Sequence, residues 1–145
     1  MPALEILKSK LIGNYLSNIA MGDCWTLRFQ RYSIVAQNII SKDEELFNNW
    51  MDSNYPLYRT TVDKVNIAKC AILASYMRRL VTDIHLDGAY NLGIQFEDGG
   101  ELVIPVTESV VDWQWALNMT GKPPYSDYLV ACFFEGEIDV APGHK

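Results

Sequence analysis

The sequence predicts an α+β fold in which one βββα unit is used twice, forming antiparallel sheets packed with helices. The chain nearly repeats at an offset of 65, so that Leu27 falls on Leu92, and past the next hairpin loop the offset becomes 68. Short alternating segments joined by tight turns also favour antiparallel strand meanders. The two units cover about residues 12–51 and 77–119 of a single domain spanning residues 1–145.

The first unit follows a short helix. Apolar residues recur at helical spacing over residues 4–11, and Pro2 suits a first helical turn. The period then falls toward two, which predicts strands over residues 12–21, 25–30 and 32–39. Their connections are too short for parallel crossovers, so these strands are expected to form an antiparallel meander.

Two helices are predicted between the strand units. Ser41 and Glu44 have capping-box spacing, in which the hydroxyl accepts from the Glu44 amide and the carboxylate reaches back. The helix that follows runs through Met51. Its core-facing side chains are expected to be Leu46, Phe47 and Trp50. After Pro56, helical spacing over residues 62–76 predicts a second helix that links the halves.

The second unit is predicted to repeat this order. Strands are expected over about residues 79–87, 89–97 and 101–107. Gly99 and Gly100 follow Asp98 in a hairpin turn. Glu108 or Ser109 can cap a helix carrying Val110, Trp113 and Leu117. A last strand over residues 128–140 is interrupted at Gly136.

Charge and composition narrow the classes of partner. The formal net charge is −6 and the sequence pI is about 4.8, which disfavours nucleic acid and favours a basic partner. Three scattered cysteines, Cys24, Cys70 and Cys132, indicate reduced thiols in a cytoplasmic protein. Neither a signal peptide nor an apolar run of membrane-spanning length is visible, so no membrane partner is expected.

Asp83, His85 and Asp87 alternate along the predicted fourth strand, opposite Thr82, Ile84 and Leu86, which are expected to face the core. Such a row of carboxylate and imidazole groups suits a metal site or acid–base catalysis, but it also suits a solvated sheet face. The second interpretation is preferred because no further ligand cluster has suitable spacing. No cofactor, metal or catalytic residue is therefore predicted.

Other candidates for partner contact are acidic or aromatic. Glu135, Glu137 and Asp139 line up on one face of the last strand, where they either meet a basic nucleic-acid-binding surface or protect a sheet edge from aggregation. Trp113 and Tyr125 are interface candidates. Alternatively, Trp113 and the neighbouring Trp115 can both be buried. Asp98 lies in the longer hairpin, where the two halves differ. Function is expected at such mismatches between the units.

A small acidic chain of repeated βββα units resembles the immunity proteins of bacterial toxin–immunity systems, particularly those of contact-dependent growth inhibition. The resemblance is carried by the matched residues of the two units, over about residues 12–51 and 77–119. The duplicated plan is also similar to the Whirly fold, known from single-stranded DNA-binding proteins. The resemblance implies an immunity protein, not an enzyme, that neutralises a cognate toxin by covering its active site or substrate-binding surface. A basic nuclease or RNase domain would suit the charge.

Three alternatives remain open from the sequence. A small-ligand module would show a closed apolar pocket. A single-stranded nucleic-acid binder of the same fold would need a basic, aromatic-lined groove. A small enzyme would need a polar cleft around His85, flanked by Asp83 and Asp87.

Overall fold

The part of the chain that the computed structural model describes contains three α-helices and nine strands. The strands form two antiparallel sheets. That part comprises residues 2–108, 112–124, 126–133 and 136–142. The helices are α1 (Pro2–Leu11), α2 (Glu44–Asn54) and α3 (Lys64–Tyr76). The strands are β1 (Asn18–Met21), β2 (Trp25–Phe29), β3 (Tyr32–Ala36), β4 (Val81–Leu86), β5 (Leu92–Phe96), β6 (Glu101–Ile104), β7 (Trp113–Met119), β8 (Tyr128–Phe133) and β9 (Ile138–Val140).

The predicted α+β class and both strand meanders are confirmed. One sheet has six strands in the order β1-β2-β3-β7-β8-β9, and the other has three in the order β4-β5-β6. Each meander pairs consecutive strands in antiparallel register, as the short connections require. The predicted interruption at Gly136 is also present: its positive φ of 75° lies in the left-handed region, which favours glycine, between β8 and β9.

The predicted helix of the second unit is wrong where it can be compared with the structure. Residues 113–119 form β7, a central strand between β3 and β8, whereas residues 109–111 lie outside the described part. The helix was expected because the second unit was predicted to repeat the order of elements in the first. Alternation of Trp113, Trp115 and Leu117 is instead the two-residue period of a strand. Residues 113–119 are therefore a strand where the predicted repeat called for a helix.

The two sheets enclose one hydrophobic core. Leu27 and Phe29 of β2 and Ile94 and Phe96 of β5 belong to the same buried cluster, and the rings of Phe29 and Phe96 stack with centroids 6.3 Å apart. Apolar side chains at alternate positions explain why one face of each meander is buried.

The sheets are also joined by backbone at two corners. Residues 13–16, predicted as the start of β1, pair with residues 78–81 instead: Val81 N–H donates to Asn14 O at 2.8 Å. At the other corner, Ile40 and Val103 exchange both backbone hydrogen bonds. These bonds cover edge groups that would otherwise lack partners.

Helix α1 packs against β4, β8 and β9. Ala3, Leu7 and Leu11 recur four residues apart, so they share one face, and all three are buried. The predicted short helix at the start of the chain is therefore confirmed, and it closes the core beside the second sheet.

Helices α2 and α3 pack on each other. Lys69 of α3 is only 6% exposed and forms an ion pair with Glu44 at 2.8 Å (Nζ to Oε1), while its ammonium group also donates to Ile39 O. The other Glu44 oxygen accepts from Ser41 N–H at 2.8 Å, as the capping box predicts. The Ser41 hydroxyl, however, accepts from Asp43 N–H rather than from the Glu44 amide.

Candidate functional site

The predicted row on β4 is only partly assembled. His85 Nε2 lies 3.4 Å from Asp83 Oδ2, and Lys8 Nζ lies 3.6 Å from Asp83 Oδ1. The pKa of Asp83 is lowered, mainly by the Ile84 N–H that donates to it; burial opposes this and is the next largest effect, ahead of the lowering by Lys8 and His85. A carboxylate held in its ionised form beside a cation is a surface ion pair, and this arrangement leaves it little use as a proton donor.

Asp87 does not join this pair, because it stabilises the turn that follows β4. One of its carboxylate oxygens accepts from Ala89 N–H at 2.8 Å and from Asn91 N–H at 3.0 Å. The other accepts from the Asn91 side-chain amide at 2.8 Å. Among the described residues, no group of three His, Cys, Asp or Glu side chains is placed to hold a metal ion.

The turn at Asp87 predicts a pH dependence. The pKa of Asp87 is lowered, mainly by the Asn91 side-chain hydrogen bond. Its stabilising effect is therefore present above the ordinary aspartate pKa and is lost as the pH falls through the lower folded-state value. In an NMR titration of the carboxyl carbons, we expect Asn91→Ala to raise the Asp87 pKa. An unchanged Asp87 pKa in that variant would contradict this assignment.

The face opposite the row differs from the expectation at one position. Thr82 was expected to face the core, but it is exposed and its hydroxyl donates to Gln95 O at 3.3 Å. The register of β4 against β5 shifts between Val81 and Asp83, which is the mark of a β-bulge. The bulge adds one residue, so Val81 and Ile84 both point into the core.

The cysteines are free thiols with little nucleophilic character. Burial raises the pKa of Cys132 to about 11, and burial followed by neighbouring aspartates raises the pKa of Cys24 and Cys70. Since the thiolate is the reactive form, none of the three is prepared for attack on a substrate at neutral pH.

The acidic end of the chain lies at a sheet edge. Strand β9 is the outermost strand of the six-stranded sheet, with Glu137 exposed just before it. Asp139 accepts a hydrogen bond from the Tyr128 hydroxyl, and this bond is the main cause of the raised Tyr128 pKa. Glu135 and Tyr125 lie outside the described residues. Charge at this edge suits protection against strand pairing as well as partner contact.

The remaining predicted candidates differ in accessibility. Asp98 is exposed at the tip of the second hairpin, where its carboxylate lies 3.8 Å from Arg79. Trp113 is only 5% exposed and therefore has little surface to offer a partner. The structure thus distributes the predicted candidates over β4, the hairpin tip and β9 rather than bringing them into one site.

An apolar surface on α2 was not predicted. Leu46 and Trp50 were expected in the core but are 69% and 59% exposed, so that expectation is wrong for both, while Phe47 is half-buried. These three side chains line a surface cavity of about 370 Å³. We call Leu46, Phe47 and Trp50 the α2 surface.

Acidic residues flank the α2 surface along its helix. Between residues 43 and 54 the chain has four acidic residues and no basic one. Glu44 is held by Lys69 and Asp52 lies 3.6 Å from Arg59, whereas Glu45 is exposed. The sequence signal for this surface was the concentration of acidic residues around a short apolar stripe. From helical spacing alone, Leu46, Phe47 and Trp50 were expected to face the core.

Comparison with protein-family models, with curated proteins and with solved structures finds no match to this chain. Within the described residues, no helix combines the length and the apolar character needed to cross a membrane. The functional inference therefore depends on the side chains that the fold leaves exposed.

Proposed function

We propose that this chain is an immunity protein that acts in the cytoplasm, where it binds a cognate bacterial toxin and neutralises it. The toxin is a nuclease, for example an RNase, and the immunity protein covers its active site or substrate-binding surface. The observation that carries this proposal is the α2 surface, an apolar cavity with an exposed tryptophan on an acidic helix.

The α2 surface has the composition of a binding centre. Leu46 and Trp50 are one helical turn apart and therefore lie on the same face, with Phe47 between them at the cavity. Tryptophan is enriched among the residues that contribute most to protein–protein affinity, particularly where a pocket excludes water around it. Contiguous exposed apolar side chains rimmed by polar residues are a candidate site for binding another protein.

The charge around this surface supports a basic partner. Acidic groups on the same helix would attract the positive surface with which a nuclease holds its nucleic acid. The formal net charge of −6 extends that attraction to the whole chain and favours fast association at low salt.

The matched meanders support a Whirly-like duplicated scaffold for this function. Leu27 and its counterpart Leu92 are both fully buried, as are Phe29 and its counterpart Ile94. We propose that the two meanders are the repeated part of the fold and that α2 belongs to the first unit alone. Under this proposal the helix bearing the binding surface lies where the two units differ.

The test is co-expression with the product of the neighbouring upstream open reading frame. We expect wild-type protein to suppress that product's toxicity and to co-purify with it. Trp50→Ala should raise the dissociation constant about 30-fold, equivalent to about 2 kcal/mol, as measured by calorimetry. Leu46→Ala should weaken binding in the same direction.

His85→Ala and Glu137→Gln are surface controls, because both residues are exposed and neither belongs to α2: His85 lies on β4 and Glu137 just before β9. If either control weakens binding while Trp50→Ala does not, the interface is not the α2 surface. Persistence of toxicity together with absence of co-purification would refute the immunity proposal itself. A single-stranded oligonucleotide in a parallel titration tests the nucleic-acid alternative.

A further inference from the structure

A polar groove lies at the end of the six-stranded sheet where β2 turns into β3. Two adjoining cavities of about 460 and 580 Å³ share Tyr15 and Ser17. Their remaining lining residues are Asn18, Arg28, Gln30, Arg31, Arg78, Met119 and Thr120. Three arginines are therefore among the lining residues of this groove, and no aspartate or glutamate is. We call it the arginine groove.

The groove arginines have no acidic partner among the described residues. Arg28 Nε donates to Gln30 O at 3.0 Å, and none of Arg28, Arg31 and Arg78 lies within ion-pair distance of a described carboxylate. By contrast, Lys8, Arg59, Lys69 and Arg79 each form an ion pair with a described carboxylate. In a chain of net charge −6, the groove is thus a local concentration of uncompensated positive charge.

Backbone bonds hold the rim in place. Ser17 N–H donates to Arg28 O at 2.8 Å, and Thr120 N–H donates to Arg31 O at 2.8 Å. Arg78 N–H donates to Leu16 O at 2.8 Å while Arg78 itself has a φ of 67°, a conformation uncommon for residues other than glycine. These hydrogen bonds fix the backbone that bears the three arginines. The left-handed backbone conformation at Arg78 contributes to the direction in which its side chain leaves the backbone.

We propose that the arginine groove binds a phosphate-bearing small molecule of nucleotide size. Guanidinium groups match phosphate oxygens with two parallel hydrogen bonds, and three of them suit a ligand with several negative charges. The hydroxyl and amide groups of the lining can hold a sugar or a base edge. Tyr15, 37% exposed, offers a ring for stacking on a base.

Size and charge favour a nucleotide over a nucleic-acid strand. The two cavities are open depressions in the surface, and their volumes fall within the range of small-ligand sites. A long polyanion would extend beyond the three arginines and meet the acidic remainder of the chain, whereas a small phosphate ligand would meet the local positive charge only.

The groove is independent of the α2 surface. Phe29 pairs with Tyr32 beside the groove, whereas Trp25 pairs with Ala36 at the opposite end of β2 and β3, from which the chain leads to α2. Variants of one site should therefore leave the other site intact.

Calorimetry with adenosine 5′-triphosphate, inorganic triphosphate and adenosine tests the proposal. We expect saturable binding of the nucleotide that is weakened at least tenfold in the triple variant Arg28→Gln, Arg31→Gln, Arg78→Gln. The matched control removes three exposed positive charges outside the groove, with Lys42→Gln, Arg59→Gln and Lys122→Gln, and should bind as wild type. Trp50→Ala should also keep nucleotide binding, so a failed immunity test is distinguishable from a failed groove test.

The variant Tyr15→Ala distinguishes the contact with the base from the contacts with the phosphates. It should weaken the nucleotide several-fold and leave inorganic triphosphate unchanged. The single variant Arg31→Gln repeats the test if the triple variant loses its circular dichroism spectrum. Absence of saturable binding, equal loss in the charge control, insensitivity of the nucleotide to Tyr15→Ala, or tighter binding of a ten-residue oligothymidylate than of the nucleotide would each overturn the proposal.

Discussion

Replacing Lys69 with methionine is expected to lower the free energy of unfolding by about 3 kcal/mol, since truncating one partner of a buried ion pair leaves the other charge uncompensated. Lys69 is 6% exposed and contacts both the Glu44 carboxylate and Ile39 O. For a chain of this size the melting temperature should fall by roughly 10 °C. Urea denaturation followed by circular dichroism measures the change.

The Lys69 prediction has a matched rescue. Adding Glu44→Gln to Lys69→Met removes the unpaired charge, while the amide oxygen can still accept from Ser41 N–H. We expect the double variant to recover at least half of the lost stability. A loss below about 1 kcal/mol in the single variant would show that the Lys69–Glu44 pair does not secure α2 to α3.

Replacing Trp115 with alanine is expected to cost about 4 kcal/mol, within the range for removing a large aromatic side chain from a core. Trp115 is fully buried on the central strand β7, and its indole N–H donates to Tyr90 O at 3.0 Å. That bond joins the six-stranded sheet to the loop between β4 and β5. Trp115→Phe keeps much of the volume but leaves the Tyr90 carbonyl unpaired, so we expect a smaller loss of about 2 kcal/mol.

Trp50→Ala is the control for Trp115→Ala. Both changes remove an indole, but only Trp115→Ala leaves a cavity in the core. Trp50 is 59% exposed on α2, and alanine favours a helix, so its stability cost should stay below about 0.5 kcal/mol. Equal destabilisation by the two variants would show that Trp50 is packed in the interior. The contrast also separates folding from binding, since Trp50→Ala should reduce affinity for a toxin while leaving stability intact.

Some of the candidate site was predictable from the sequence, but its arrangement was not. The row at Asp83 and His85 was correctly expected on one strand face, because strand periodicity decides which residues share a side. Asp87 shares that spacing but turns into its own loop to bind Asn91. The arginine groove joins Tyr15, Arg28 and Arg78 from three separate segments, and no local spacing connects them.

The sequence by itself determined the local elements: the amphipathic face of α1, the capping bond at Glu44, both antiparallel meanders and the break at Gly136. Periodicity and turn chemistry are local properties, so they survive without knowledge of the partner surface. Tertiary structure alone decided that residues 113–119 pair with β3 and β8 as a strand, because that choice depends on distant hydrogen-bonding edges. It also decided that Leu46 and Trp50 face solvent, since an apolar stripe specifies a shared face but not what that face meets.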